Sequence, residues 1–271
     1  MTLTLTDTEA LRKGFEAQGF MSADLGVIGA EYEVIRDALN GILSRRDGWT
    51  NGDLRDLTGH DASARQLSQP QILMPHHLAP QLEKLVLREK ARALARAVLG
   101  AEPQDEGEHA IIKPAYSEQI TPLHQDEAFW SGDVDYSSVS VWISLDDVDA
   151  RNGCMRFVPG SHLGQISPHH SYLGQKENNS FEIDNPDQFN VVDCPLRRGE
   201  AVVHHCRTIH GAHRNATARA RVAYVFGFGL KPQRSTTPRH FHWQETSDQA
   251  CVARSRANGH EPTKMRAEVL E

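Results

Sequence analysis

This chain of 271 residues lacks any apolar run long enough to cross a membrane. Its longest, Val222 to Leu230, has nine residues, against about 20 for a spanning helix. It also lacks an excess of positive charge. Lys and Arg total 29 against 36 Asp and Glu, a net charge of −7, which disfavours general nucleic-acid binding. Cysteine is scarce. Cys154, Cys194, Cys206 and Cys251 form no CxxC pair, so reduced thiols in a cytoplasmic protein are expected. Met1 to Phe15 show no basic start followed by an apolar core, and no signal peptide is expected. Internal repeats and low-complexity tracts are missing as well. What remains is an ordinary globular composition, 39% hydrophobic, with one oddity: 15 histidines, which invite a metal hypothesis.

The first hundred residues predict helices. Thr6-Asp7-Thr8 can cap a helix that runs to Gln18 and stops at Gly19. Tyr32, Ile35, Leu39, Ile42 and Leu43 recur at helical spacing between Glu31 and Arg45. A third helix is predicted from Leu78 to Leu99, ended by Gly100. After Gly107 the period changes to two. His109 to Tyr116 predicts a strand, and Ser138 to Leu145 alternates cleanly. Val139, Val141, Ile143 and Leu145 face one way; Ser138, Ser140, Trp142 and Ser144 face the other. Cys154 to Val158, Ala201 to Arg207 and Arg221 to Leu230 predict further strands, separated by turns such as Asn152-Gly153 and Pro159-Gly160. The expectation is one mainly β domain with flanking helices, a β-sandwich or jelly roll. Its helical N-terminal part would cover about 1–105, its strand core about 106–232 and a C-terminal extension about 233–271. The polar stretch Gly164 to Gln188 is of the kind that forms an active-site lid.

Three elements carry candidate chemistry. His124 and Asp126 flank Gln125; on a strand, residues i and i+2 point to one side, where imidazole and carboxylate can share a metal. That pair alone is common by chance. His210 lies at the end of the strand Ala-Val-Val-His-His-Cys-Arg. Two histidines and a carboxylate leave open positions on a metal, as in non-haem Fe(II) sites, although other metals accept the same donors. Arg221 opens a strand whose face carries Ala223, Val225, Gly227 and Gly229, small residues that leave volume for a ligand. An arginine there can grip a carboxylate with two hydrogen bonds; Arg219 shares that face, so spacing alone leaves either open. The doublets His76-His77, His169-His170 and His204-His205 point to opposite sides of a strand and are expected to be structural or substrate-side.

Together with their surroundings these residues resemble the phytanoyl-CoA dioxygenase family of Fe(II)/2-oxoglutarate-dependent oxygenases. Thr121 to Asp126 is similar to its first metal strand. Ser140 to Asp147, followed by Asn152 to His162, resembles its most recognisable block. Gly199-Glu200-Ala201, His210 to Asn215 and Arg219-Ala220-Arg221 resemble its second metal strand and co-substrate arginine. The likeness covers about residues 108 to 230. It implies a double-stranded β-helix (cupin-like jelly roll) in which His124, Asp126 and His210 bind Fe(II). Arg221, chosen over Arg219 by the family's spacing, would bind the distal carboxylate of 2-oxoglutarate, with Trp142 and Thr121 beside it. O2 would be the third reactant, and succinate and CO2 the co-products of oxidising a C–H bond. Many relatives carry Ser or Thr two residues after the distal histidine; this chain has Ala212. Related halogenases replace the metal carboxylate by a small residue. Asp126 is present, so hydroxylation or another oxidation is favoured over halogenation.

The expected substrate is a small anionic or zwitterionic metabolite, with Trp130 and Lys113 as candidate contacts and Arg65, Arg156 and Arg214 as further basic groups near the mouth. No nucleic-acid or membrane partner is expected, and nothing in the sequence sets the oligomeric state. Two alternatives stay open: a cupin-like metal enzyme that does not use 2-oxoglutarate, and a non-catalytic small-molecule-binding relative.

Overall fold

A computed structural model describes residues 3–27, 29–58, 67–178, 180–247 and 249–262. Arg65 lies outside them. The chain folds into two facing sheets of a double-stranded β-helix, without closing into a barrel. The major sheet has eight strands in the order Leu3–Thr4, Phe20–Asp24, Glu200–His205, Ser138–Ser144, Arg221–Gly229, Gln104–Lys113, Pro70–Leu73 and Leu54–Asp56. The minor sheet has four: Val192–Cys194, Met155–Phe157, His210–Ala212 and Thr121–His124. The N-terminal part, besides its helices, thus feeds four short strands into both edges of the major sheet.

Alternation decides which side chains meet. On the outer face of the major sheet Val139, Val141, Ile143, Tyr224, Phe226 and Phe228 pack under Leu11, Phe15, Tyr32, Ile35, Leu39 and Leu94 of the helices. Each of the large apolar residues contributes roughly 1.5–3 kcal/mol through burial. The same core also buries the Glu108 carboxylate. Tyr224 Oη donates to it at 2.6 Å, and Arg88 and His76 complete its partners, as a buried carboxylate requires. The inner faces of the two sheets meet in a second core, where Trp142, Val202, Ala223 and Val225 touch Met155, Phe157 and Ala212.

Two helices match their expected limits. Thr8–Gln18 ends at Gly19, whose φ of 80° lets its N–H reach Phe15 O, and Gly29–Arg45 follows. The predicted helix Leu78–Leu99 is broken. A short helix Pro75–Leu78 and a 3-10 turn Pro80–Lys84 precede the α-helix Val86–Leu99. Pro80 supplies no N–H and forces Ala79 out of the helical region, to φ −142° and ψ 84°. The new helix start is satisfied from elsewhere: Glu31 accepts from Val86 N at 2.7 Å and Leu87 N at 3.0 Å. The predicted strand His109–Tyr116 lies earlier, at Gln104–Lys113, and stops at Pro114.

The polar stretch Gly164 to Gln188 is not structureless. It contains the hairpin His169–Ser171 with Phe181–Ile183. The C-terminal extension wraps back over the domain. Its helix His242–Glu245 brings Trp243 Nε1 and Gln244 Nε2 to Ala128 O, at 2.9 and 2.8 Å. Among the described residues no helix is long and apolar enough to cross a membrane.

Candidate metal and co-substrate site

The minor sheet brings the two histidines together. His124 closes one strand, His210 opens the next, and the two stand opposite each other in the antiparallel register. Their rings lie 4.3 Å apart. Asp126 is not on the strand. It begins a 3-10 turn, Asp126–Phe129, which corrects the expectation of two residues on one strand face. The chain turns because Gln125 is held by its side chain, which donates to Arg207 O and accepts from Ser167 N, each at 2.7 Å. The carboxylate reaches the imidazoles from the turn.

The hydrogen bonds fix which ring nitrogens face it. His124 Nδ1 donates to Pro122 O and His210 Nδ1 to Thr208 O, both at 2.8 Å. A carbonyl can only accept, so in the neutral rings the proton sits on Nδ1 and Nε2 carries a bare lone pair. Those lone pairs meet Asp126 Oδ1 at 3.7 and 3.5 Å. The three donor groups lie within 4.8 Å of one another. Electron-rich atoms held so close form a socket that fits a cation, and the donor set is two histidines and one carboxylate. Burial alone would raise the Asp126 carboxyl, but His210, His124 and His204 outweigh it and hold it well below the usual range. His210 is pushed down by burial, then by His204 and His124, so it stays neutral.

The outer oxygen of Asp126 is anchored on the opposite sheet. Ser140 Oγ donates to Oδ2 at 3.0 Å, and His204 Nε2 lies 3.5 Å from it. Ser140 and His204 are register partners. The doublet His204-His205 therefore splits. His204 faces the carboxylate, while His205 packs beside Phe15 and His162. Sequence reasoning missed both contacts to Asp126, although Ser140 shares the inward face of Trp142.

A cavity of about 340 Å³ opens over this group and is lined by Thr121, Trp142, Ala212 and Arg221 as well as the triad. Arg221 is buried, its Nε has no partner, and its guanidinium lies 5.4 Å from the Trp142 ring. Burial pushes its pKa down to about 10. The side chain of Arg219, by contrast, is 84% exposed and pairs with Asp146. Lys113 is fully buried beside Arg221, its register partner, and donates to Gln119 O at 2.9 Å. Burial, then Arg221 and Arg156, depress its ammonium. A buried guanidinium with a lysine beside it, and among the described residues no carboxylate paired with either, fits an anionic co-substrate group. Thr121 stands opposite Ala212 and accepts from Gln69 Nε2 at 3.1 Å, which leaves its own proton to give.

Trp130 is on the cavity wall, edge-on to Tyr136. Lys113, Arg156 and Arg214 are not; Arg214 pairs with Glu118. Gly227 lines the cavity, but the space above Gly229 is filled by the Glu106 carboxylate. A second cluster, Cys154, Asp193 and His213, has metal-like spacing. Its His213 Nε2 is already bonded to Asp193 Oδ1 at 2.6 Å, and burial pushes the Cys154 thiol up to about 11, so it offers no thiolate at neutral pH.

The model of the phytanoyl-CoA dioxygenase (PhyH) family matches residues 15–223. The chain belongs to this family. Phytanoyl-CoA dioxygenase domain-containing protein 1 of Bos taurus is 31% identical over 156 residues, 56% of this chain and 53% of that protein. Ectoine dioxygenase of Halomonas elongata is 25% identical over 246 residues, 83% of this chain and 70% of the enzyme. EvdO2 from Micromonospora carbonacea var. aurantiaca, solved with 2-oxoglutarate, superposes with a TM-score of 0.72 at 27% identity, over 86% of this chain and 95% of that one. The chain spans about half the length of the first of these curated relatives. The family match starts well before the stretch that carries the resemblance in sequence, because strands such as Phe20–Asp24 belong to the same sheet.

Proposed function

We propose that this family member is an Fe(II)/2-oxoglutarate-dependent dioxygenase that hydroxylates a C–H bond of a small anionic or zwitterionic metabolite. The observation that carries the reading is the triad: two imidazoles locked by Nδ1 hydrogen bonds, with Nε2 turned to Asp126 above a cavity that also holds a buried arginine. His124, Asp126 and His210 would hold the iron. With 2-oxoglutarate and O2 bound, the metal would supply the oxidising power that converts C–H to C–OH as 2-oxoglutarate is cleaved to succinate and CO2.

The chain's own groups do the rest. Arg221, with Lys113 behind it, would take the distal carboxylate of 2-oxoglutarate; Trp142 would flank it. Thr121 would donate the hydroxyl that Ala212 lacks. Ser140 and His204 keep the Asp126 carboxylate turned so that one oxygen faces the imidazoles. The cavity volume is near the lower end of the ~300–1,000 Å³ of ligand pockets. With the co-substrate inside, it suits a small metabolite.

The test is anaerobic titration of Fe(II) and 2-oxoglutarate, followed by the visible charge-transfer band of the chelate. A band that disappears in His210→Ala and needs far more 2-oxoglutarate in Arg221→Ala supports the reading. Iron bound without a band would promote the cupin-like alternative, and no iron binding would promote a binding protein.

A further inference from the structure

At its other end the cavity is walled by the outermost strands of the major sheet. Arg55, Gln71 and Ile111 form one cross-strand row, and Leu73 and His109 the next. Arg55 lies three strands from Arg221 in the sheet order, roughly 14 Å at ~4.8 Å per strand. It cannot serve the same carboxylate. Its Nε is buried without a partner, and among the described residues its guanidinium makes no ion pair. The nearest carboxylates in sequence are engaged elsewhere. Asp56 accepts from the backbone of Thr58, Ser68 and Gln69, and Asp53 from Asn51. Arg254, stacked 3.7 Å from the Trp49 ring, donates to Leu54 O at 2.9 Å and so puts a second arginine next to Arg55; burial, then Arg55 and Arg46, push its pKa down to about 10.

His109 stands between this corner and the candidate triad, since it lies two strands closer than Arg55 to Ser140 and His204, which contact Asp126. Burial, against the pull of Asp126, holds its pKa at about 4, so the ring is neutral and can both donate and accept. Both Arg55 and His109 line the cavity.

We propose that Arg55 and His109 form a substrate subsite for an anionic group: Arg55 grips a carboxylate, sulfonate or phosphoryl group, and His109 hydrogen-bonds a polar atom nearer the metal. The span then sets the site of oxidation. The anion is held at the sheet edge, and the C–H bond presented to the iron lies at the opposite end of the substrate. This inference rests on the function proposed above and names residues other than those that the sequence suggested for the task.

The experiment uses the full chain with Fe(II) under anaerobic conditions and saturating 2-oxoglutarate, so that Arg221 is already occupied. Sodium sulfate is the probe, and binding is read by calorimetry. Saturable binding that weakens about ten- to a hundredfold in Arg55→Gln, and less in Arg55→Lys, is expected for a lost charge-assisted pair. On the unsubstituted chain, phenylglyoxal labelling read by peptide mass spectrometry needs no folded variant; sulfate should protect Arg55. Sulfate affinity that is equal in Arg55→Gln, or labelling of Arg55 that sulfate does not slow, would overturn the proposal. The 2-oxoglutarate titration is scored by itself. If it fails, the dioxygenase reading falls, while sulfate binding to the metal-free chain still decides the role of Arg55. As a second arm, small carboxylic acids and their matched amides are compared by succinate release. The acids should be preferred at least about tenfold in kcat/KM, and Arg55→Gln should erase the preference.

Discussion

The two faces of the major sheet are built by the same strands and do opposite things. On Arg221–Gly229, Val222, Tyr224, Phe226 and Phe228 fill space beneath the helices, while Val225 and Gly227 line the cavity beside the candidate triad and Ala223 packs between the sheets. Strict alternation produces both from one segment. It also locks the register, because a shift by one residue would put phenylalanines into the cavity and glycines into the core. The outer face therefore carries stability and the inner face carries the candidate site. Substitutions on the two should separate these quantities.

The largest effect belongs to the outer face. Phe226→Ala should cost about 3–5 kcal/mol, read as a fall in the urea midpoint, with iron affinity per folded molecule unchanged. Loss of iron affinity without a matching stability loss would then mark the inner side. His210→Ala removes a proposed ligand and should weaken Fe(II) binding by more than the ~10–100-fold typical of losing an outer partner. Calorimetric titration would show it. Ser140→Ala removes only the anchor of Asp126 Oδ2 and should cost about tenfold in iron affinity; an unchanged affinity would deny that anchor a role. A further effect, on the fold as a whole, is on pH. Burial holds His109, His169 and His205 at about 4 in the folded chain, against an ordinary 6.5. The unfolded chain thus binds more protons between these values, and stability falls as pH drops from about 6.5 toward 4. Thermal unfolding of the metal-free protein across that range checks the sign, and His109→Gln should flatten the slope.

The long alternating strands were legible from sequence. Ser138–Ser144 and Arg221–Gly229 lie where alternation predicts them, and their inward residues are the ones predicted. Short strands were not. Leu54–Asp56 and Phe20–Asp24 offer too few residues for a period to emerge beside strong helices. For that reason Arg55 went unnoticed while Arg214, paired on the surface with Glu118, was suggested instead. The break at Pro80 was visible in principle, because a proline inside a helical pattern moves the preceding residue out of it. The clustering of His124, Asp126 and His210 was legible as residue types and as family words. Its geometry was not: Asp126 reaches the imidazoles from a turn held by Gln125, and its outer contacts come from a strand some 80 residues away in the case of His204. Only the folded sheets bring these together.

The cavity draws its two ends from different parts of the chain. The metal end comes from the middle, from Thr121 to Arg221, while the far wall is supplied by Arg55, Gln71 and Gln249. Substitutions in the outlying strands and the C-terminal turn can therefore alter the far wall without touching the candidate triad. Such a layout separates what is oxidised from how oxidation is done, and gives new specificities a place to arise that does not cost the chemistry.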